Sequence, residues 1–304
     1  MGKIAFVFAG QGAQHIGMAK ELYDAYPSVK SVMDEAEGCR PGTLAQMFSG
    51  DEAELKKTEN TQPCLYLADL AAAIALREEG ICPDAAAGFS LGEIPALAFA
   101  GAYGYSDGFR HAAARGDFMS KAAAENPASM AAILKLTNEE IEEICARFDA
   151  VYPVNYNCPG QLVVSARTDL MKDFCDAVKE AGGRALPLSV SSGFHSPFMH
   201  SAAEAFGVYL ADKDVCPPTL TAYSNCTAAP YGDNVKPLLK EQIESPVRWE
   251  DIIRKMAAEG FDTFVECGPG STLAKLIGKI LPEARTFSAE TAEQVKAATK
   301  EILA

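Results

Sequence analysis

Between residues 128 and 191 the sequence alternates extended and helical signals in the order βαββαβ, and this run interrupts units of a different kind. Met130 to Leu136, Val151 to Tyr156, Gln161 to Ala166 and Ala185 to Val190 are β-prone. Asn138 to Phe148 and Asp169 to Ala181 carry helical spacing. Asn157-Cys158-Pro159-Gly160 reads as the turn inside the central hairpin. On either side stand strand, glycine loop, helix units. Ile4 to Phe8 leads into Gly10-Gln11-Gly12, with a helix from about Met18. Ala85 to Gly88 leads into a serine turn and a helix over Leu91 to Ala100. A Trp249 to Glu259 helix precedes Thr263 to Cys267, which leads through Gly268-Pro269-Gly270 into a helix over Thr272 to Ile280. A long Ala/Leu-rich helix is expected over Thr61 to Glu79. The pattern predicts an α/β protein: a large α/β-hydrolase-like domain with a parallel-sheet core (1–127 and 192–304) and an inserted ferredoxin-like βαββαβ subdomain (128–191). The cleft between them is the expected site.

Composition narrows the function. With 48% hydrophobic and 22% charged residues the chain has the make-up of a soluble globular protein. A net charge of -14 disfavours nucleic acid and anionic membranes as partners. No apolar run reaches the ~20 residues of a spanning helix, and no signal-peptide pattern follows Met1. The 9 cysteines include no CxxC pair, so neither a metal nor a disulfide framework is expected, and the compartment expected is the cytoplasm.

Gly88-Phe89-Ser90-Leu91-Gly92 is a G-x-S-x-G turn between a predicted strand and helix, which exposes a serine Oγ and leaves the following N–H to stabilise an oxyanion. Glycine-flanked serines are common in ordinary turns; the flanking elements raise Ser90 above them. A serine nucleophile needs a base, and the chain has 4 histidines. His111, beside Arg110, is expected at the solvated surface. His15 is either loop packing or site lining, and His200 belongs to a following helix. His195, in Ser191-Ser192-Gly193-Phe194-His195-Ser196-Pro197, lies where the chain returns from the inserted run to the cleft and is the best base.

Several further blocks are arranged in a telling order: Phe8-Ala9-Gly10-Gln11-Gly12-Ala13-Gln14, the Ser90 turn with Glu93, Ala114-Arg115-Gly116-Asp117-Phe118-Met119, Asn157-Cys158-Pro159-Gly160-Gln161, Gly193-Phe194-His195-Ser196, Ser245-Pro246-Val247-Arg248-Trp249 and Gly268-Pro269-Gly270. From residue 4 to about residue 280 they resemble the malonyl-CoA:acyl carrier protein transacylase family, the acyltransferases of fatty acid and polyketide synthesis. The resemblance implies that Ser90 takes the malonyl group from coenzyme A while His195 serves as base, and that the phosphopantetheine thiol of acyl carrier protein receives it. It implies an oxyanion hole from the backbone N–H groups of Gln11 and Leu91, and a substrate pocket with Arg115, Phe194 and Gln242. Arg115 would grip the malonyl carboxylate; read without the resemblance, a helix-surface ion pair with Asp117 or a nearby acid is the favoured reading. Phe194 would leave little room for an α-methyl group. The backbone carbonyl of Gln242 would orient His195, although surface helix polarity also fits that residue. Asn157 and Gln161 are open between binding and turn roles. No metal or cofactor is implied, and a monomer is expected.

One position departs from the family: Phe89 stands where a histidine is usual before the nucleophile, which removes a polar contact and bears on acyl selectivity. Three alternatives remain at this stage. A hydrolase on the same scaffold is disfavoured by Arg115, and a free-standing acyltransferase of a polyketide synthase would differ only in its carrier. A noncatalytic docking module would have no chemical reason to keep Ser90, His195, Gln11 and Arg115 together. Because acyl carrier proteins are acidic, a local basic rim at Lys275, Lys279 or Arg184 is expected despite the negative total charge.

Overall fold

The computed structural model describes residues 2–188, 190 and 192–304. Nine strands form two sheets among the described residues: β1 (Lys3–Phe8), β2 (Ala85–Gly88), β3 (Ala128–Leu134), β4 (Val151–Cys158), β5 (Gln161–Arg167), β6 (Arg184–Pro187), β7 (Thr221–Tyr223), β8 (Phe261–Cys267) and β9 (Arg285–Ala289).

The first sheet has the order β7-β2-β1-β8-β9, and every pairing in it is parallel. Successive side chains of β1 point to opposite faces, so Phe6 and Phe8 enter a core with the Thr58–Glu78 helix while Ala5 and Val7 enter another with Trp249, Ile252 and Leu276. Both faces are covered, as a parallel sheet requires, and that is why β1 and β2 read as continuous apolar runs. β1 is central, with β2 on one side and β8 on the other. The loops leaving these strands therefore open at one edge, where ligands bind in such sheets.

The second sheet is antiparallel with the order β4-β5-β3-β6, the strand order of a ferredoxin-like unit. One face packs on the Asn138–Cys145 and Met171–Glu180 helices through Ile133, Ile141, Leu162, Val164 and Phe174. The other carries Met130, Val154 and Val163 towards Phe194 and the cleft. The α/β class and the two-sheet architecture agree with the sequence pattern.

Local boundaries differ for physical reasons. The long helix begins at Thr58 rather than Thr61, because its first turn is polar and carries no apolar period. Asn157 and Cys158, expected in a turn, lie in β4; Cys158 pairs with Gln161, so the turn is Pro159-Gly160, with Gly160 at φ +71. β6 ends at Pro187, short of Val190; Ser189, within the expected strand, and Ser191 of the His195 block lie outside the described residues. β4 is irregular around Pro153 and Asn155, where Val247, just before the Trp249–Ala258 helix, bridges to it through the Tyr156 N–H and Val154 carbonyl. That bridge ties the antiparallel sheet to the segment leading into the Trp249–Ala258 helix.

Candidate active site

Ser90 follows β2 after one intervening residue, Phe89, and opens a short 3-10 turn, Ser90–Gly92, before the Glu93–Phe99 helix. Both glycines are required by contact. A Cβ on Gly88 would lie 1.9 Å from the carbonyl carbon of Gly92, and one on Gly92 would lie 2.2 Å from the Phe8 oxygen. The tight turn puts Ser90 at φ 53, a conformation L residues adopt sparingly. Asn225, in the loop after β7, holds it there: its Oδ1 accepts the Ser90 N–H at 2.8 Å and its Nδ2 donates to the Gly88 carbonyl at 2.7 Å.

His195 Nε2 lies 2.6 Å from Ser90 Oγ, and Nδ1 lies 2.9 Å from the backbone carbonyl of Gln242. A carbonyl can only accept, so Nδ1 carries the proton and Nε2 is left to accept from the serine hydroxyl. His195 is buried, at φ 60, and Ser196 Oγ donates to the Gly193 carbonyl to close its loop. Burial, then the positive charge of Arg115, lowers the imidazole to about 4 against the bonds it donates to the backbone. It is neutral at neutral pH, the form a general base needs.

Arg115 projects from the Tyr105–Glu125 helix and is 1% exposed, so the surface ion pair with exposed Asp117 does not form. Its Nη1 donates to Gln62 Oε1 at 2.9 Å, and its Nη2 to Gln242 Oε1 at 2.8 Å and to Ser90 Oγ at 3.3 Å. No carboxylate accepts from it among the described residues, and Nε has no partner. Burial lowers it to about 10, which leaves it cationic at neutral pH.

Gln242 ends the Val235–Gln242 helix and is buried rather than on its polar surface. Besides its bonds to His195 and Arg115, its Nε2 donates to the Ser90 carbonyl at 2.6 Å and lies 3.3 Å from both Glu93 Oε2 and Asn225 Oδ1. Glu93 is fully buried and accepts from the Tyr231 hydroxyl and, at 2.9 Å, the Asn225 N–H.

Gln11 lies in the loop after β1, its Nε2 donating to Thr58 Oγ1 at 3.2 Å. No backbone acceptor takes the Gln11 N–H among the described residues. The Leu91 N–H belongs to the opening turn of a helix, where the N–H groups lack helical partners. A cavity of about 490 Å³ lies against Ser90 and His195; Gln11, Phe89 and Phe194 line it from one side, Met130 and Asn155 of the antiparallel sheet from the other. Phe89 also packs edge-on against Trp249 at 5.6 Å between centroids. Asn157 and Gln161 line a neighbouring cavity of about 220 Å³ that shares Gln11 and Phe89.

The other histidines are elsewhere. His111, expected at the surface, is buried between the rings of Tyr103 at 4.8 Å and Tyr209 at 5.6 Å. His15 pairs with Glu290, and His200 with Glu244 at 2.8 Å, both exposed. Asn225, Gln62 and Thr58 were not singled out by sequence. Only Gln62 carried any signal: a polar residue in an Ala/Leu-rich helix.

An α/β scaffold that holds a serine and a neutral histidine in hydrogen-bond contact at the carboxyl ends of parallel strands defines an acyl-transfer enzyme working through a serine nucleophile. The chain belongs to the acyl transferase domain family, which it matches over residues 5–300. It is 39% identical over 306 residues to the malonyl CoA-acyl carrier protein transacylase of Bacillus subtilis (strain 168), covering 98% of this chain and 96% of the relative. The enzyme of the same name from Staphylococcus aureus (strain MRSA252) is 34% identical, covering 97% of this chain and 98% of the relative. Among solved structures, that of malonyl CoA-acyl carrier protein transacylase from Clostridium perfringens superposes with a TM-score of 0.96 at 34% identity, over 99% of this chain and 97% of the other. The malonyl-transacylase PlMCAT, in complex with its type II PKS acyl-carrier protein AntF, gives a TM-score of 0.94 at 32% identity, over 98% and 99%.

Proposed function

We propose that this chain transfers a malonyl group from malonyl-CoA to the phosphopantetheine thiol of acyl carrier protein, through a malonyl ester on Ser90. The observation that carries the reading is Arg115: a buried guanidinium, bonded to no carboxylate among the described residues, with Nη2 3.3 Å from the nucleophile. An acyl group bearing its own carboxylate supplies the missing anion, and a neutral acyl chain does not.

In the first half-reaction Ser90 Oγ attacks the thioester carbonyl as His195 Nε2 takes its proton. The carbonyl becomes an oxyanion facing the N–H groups of Gln11 and Leu91; preset donors of this kind are worth about a hundredfold or more each. The C–S bond then breaks, His195 returns the proton to the departing thiolate, and the malonyl-serine ester remains. In the second half-reaction the carrier thiol gives its proton to His195, attacks the ester and leaves as malonyl thioester while Ser90 regains its proton. Atoms and charge balance without a cofactor, since phosphopantetheine arrives on the carrier. Gln242 keeps His195 in the required tautomer in place of an acid.

We assign the large domain to 1–127 and 192–304 and the inserted subdomain to 128–191. The large domain then contributes Ser90, Gln11, Leu91, Arg115, His195 and Gln242, and the antiparallel sheet closes the acyl pocket. Phe194 on the pocket wall favours malonyl over methylmalonyl. All the groups named come from one chain, consistent with a monomer acting in the cytoplasm, where no helix of the described residues is long and apolar enough to cross a membrane. Fatty acid synthesis is the process served in this reading, and a polyketide synthase carrier would use the same chemistry.

Intact-mass measurement after mixing with malonyl-CoA tests it. We expect one malonyl adduct, absent in Ser90→Ala, that discharges faster to acyl carrier protein than to water. Faster loss to water would make the chain a hydrolase, and an adduct that persists in Ser90→Ala would remove the nucleophile assignment.

A further inference from the structure

A buried cation with no counter-charge is costly, yet among the described residues Arg115 bonds only to amide and hydroxyl oxygens. The acid that its hydrogen bonds lead to is Glu93, 0% exposed and next in sequence to Gly92. Gln242 stands between them. Its Oε1 accepts from Arg115 at 2.8 Å, and its Nε2 lies 3.3 Å from Glu93 Oε2. Glu93 bonds to no cation among the described residues; its other donors are the Tyr231 hydroxyl and the Asn225 N–H. Glu93 and Arg115 are thus an acid and a cation separated by one carboxamide.

We propose that Glu93 is the counter-charge built into the site for Arg115, a specificity-tuning residue that weakens the hold of Arg115 on the acyl carboxylate enough for the acyl group to exchange between thiols. The inference rests on the reading that this carboxylate binds Arg115. A transferase must release the group it captures, and tight binding that is equal in the bound and reacting states does not raise turnover. A carboxylate meeting an uncompensated guanidinium away from water would be held strongly, because Coulomb attraction is largest where the dielectric is low. Glu93 adds a negative charge on the far side of Gln242 and opposes that hold. Specificity survives, because a neutral acyl chain still leaves Arg115 without its second anion.

The coupling is reciprocal: an anion on Arg115 makes Glu93 hold its proton more tightly, and a proton on Glu93 makes Arg115 bind the anion more tightly. Burial raises Glu93 to about 7, against the opposing bonds from Tyr231, Asn225 and Gln242 and the charge of Arg115. The other groups facing it do not titrate near neutrality. Burial pushes the Tyr231 and Tyr103 hydroxyls and the Cys226 thiol up. Arg115 stays charged and His195 stays neutral.

The test uses Ser90→Ala protein, which forms no ester, and measures the dissociation constants of malonyl-CoA and acetyl-CoA from about pH 6 to about pH 8, with and without Glu93→Gln. Glutamine keeps an oxygen for the Asn225 and Gln242 N–H groups and can donate to the Tyr231 oxygen. Acetyl-CoA carries the same nucleotide phosphates, so the ratio of the two constants isolates the carboxylate. With Glu93 present we expect the malonyl preference to grow about tenfold towards the acid end, the equivalent of one pK unit of coupling. With Glu93→Gln the preference should be high and flat with pH. A weaker malonyl preference in Glu93→Gln, or a pH step that persists in it, overturns the proposal. Equal binding of the two thioesters at every pH with Glu93 intact overturns instead the assignment of the carboxylate to Arg115. Should Glu93→Gln fail to fold, Tyr231→Phe removes a bond that favours the charged carboxyl, so the step must move to higher pH. An unmoved step then refutes the role of Glu93.

Discussion

Gln242 binds His195 through its backbone and Arg115 through its side chain: the carbonyl oxygen is 2.9 Å from His195 Nδ1, and Oε1 is 2.8 Å from Arg115 Nη2. One residue thus sets the tautomer of His195 and the position of the guanidinium we propose as the substrate clamp, and a side-chain substitution separates the two. In Gln242→Ala the backbone carbonyl remains while the bond from Nε2 to the Ser90 carbonyl is lost, so we expect acetyl transfer to fall by about fivefold, the worth of a neutral hydrogen bond of about 1 kcal/mol. Malonyl transfer should lose about tenfold or more in kcat/KM, since a lost hydrogen bond to a charged group is worth about 1.5–3 kcal/mol. Steady-state kinetics with both thioesters decide this, and equal losses would mean that the side chain supports the fold rather than the clamp.

Removing the clamp itself is a larger change. Truncating one partner of a buried, hydrogen-bonded charge pair costs about 2–5 kcal/mol, so Arg115→Ala should lower kcat/KM for malonyl-CoA by about a hundredfold or more. Acetyl-CoA should react no more slowly. A malonyl preference that survives this substitution would place the carboxylate elsewhere.

The acid limb of the acylation rate reports His195. Its pKa is depressed by burial and by Arg115 to about 4, so the basic, neutral form persists as pH falls past the ordinary histidine value of about 6.5. With acetyl-CoA, which does not engage Arg115, we expect a flat burst rate from about pH 7 to about pH 5 and a decline only towards pH 4. The same depression has a stability consequence: the contribution of His195 is fully present above the unfolded pKa of about 6.5 and is lost as pH falls towards its folded value. His111, also lowered to about 4 by burial, acts in the same direction. Glu93 acts in the opposite one, because its raised pKa favours the folded state at acid pH. His111→Phe should therefore reduce the loss of Tm between about pH 6.5 and pH 5, and an unchanged loss would contradict the burial of that ring.

What sequence made legible, and what it hid, follows from the range of the interactions. The Ser90 turn is local: Gly88, Ser90 and Gly92 lie within five positions, and the contacts that require glycine, to Gly92 and to Phe8, follow from strand, turn and helix packing. Seven of the nine strands among the described residues were legible as β-prone runs; β9 (Arg285–Ala289) was not, because Arg-Thr-Phe-Ser-Ala carries one large apolar residue and shows no alternation. The three-residue β7 is too short for any period, so the loop after it, with Asn225, gave no sign of reaching Ser90 across 135 positions. His111 and Arg115 share a helix with Asp107, Arg110 and Asp117, which made it read as a solvated surface. Their burial comes from Tyr103, just before the helix, and from Tyr209, Gln62 and Gln242, which are distant in sequence.

The glycines of the turn permit a sharp test of packing. An alanine at position 88 would place its Cβ 1.9 Å from the Gly92 carbonyl carbon, an overlap with backbone that no rotamer relieves. The strand and the 3-10 turn would have to separate, carrying Ser90 away from Asn225 and His195. Overpacking costs typically ~1–3 kcal/mol, and more where backbone must move, so Gly88→Ala should lower Tm by several degrees and abolish the malonyl adduct in protein that remains folded. A wild-type adduct yield would mean that the turn tolerates a shift of its backbone.

The carrier surface is the remaining question, and charge decides how to look for it. The chain as a whole is at -14, which repels an acidic carrier at long range, so productive encounter requires a local basic rim. Lys275 and Lys279 are exposed on the Thr272–Ile280 helix, and Lys279 Nζ is 3.4 Å from Gln161 Oε1 at the edge of the smaller cavity. Arg184 is exposed at the start of β6, on the other sheet. Charges at an interface rim act mainly on association rate and salt dependence. Lys275→Glu with Lys279→Glu should therefore raise KM for acyl carrier protein about tenfold and flatten its dependence on salt, with a smaller effect from Arg184→Glu. The malonyl-CoA half-reaction, followed as adduct formation without carrier, reads the site apart from the carrier. An equal effect on both half-reactions would show that these residues bind the phosphates of coenzyme A instead, and unchanged carrier kinetics would place the docking surface on another face of the cleft.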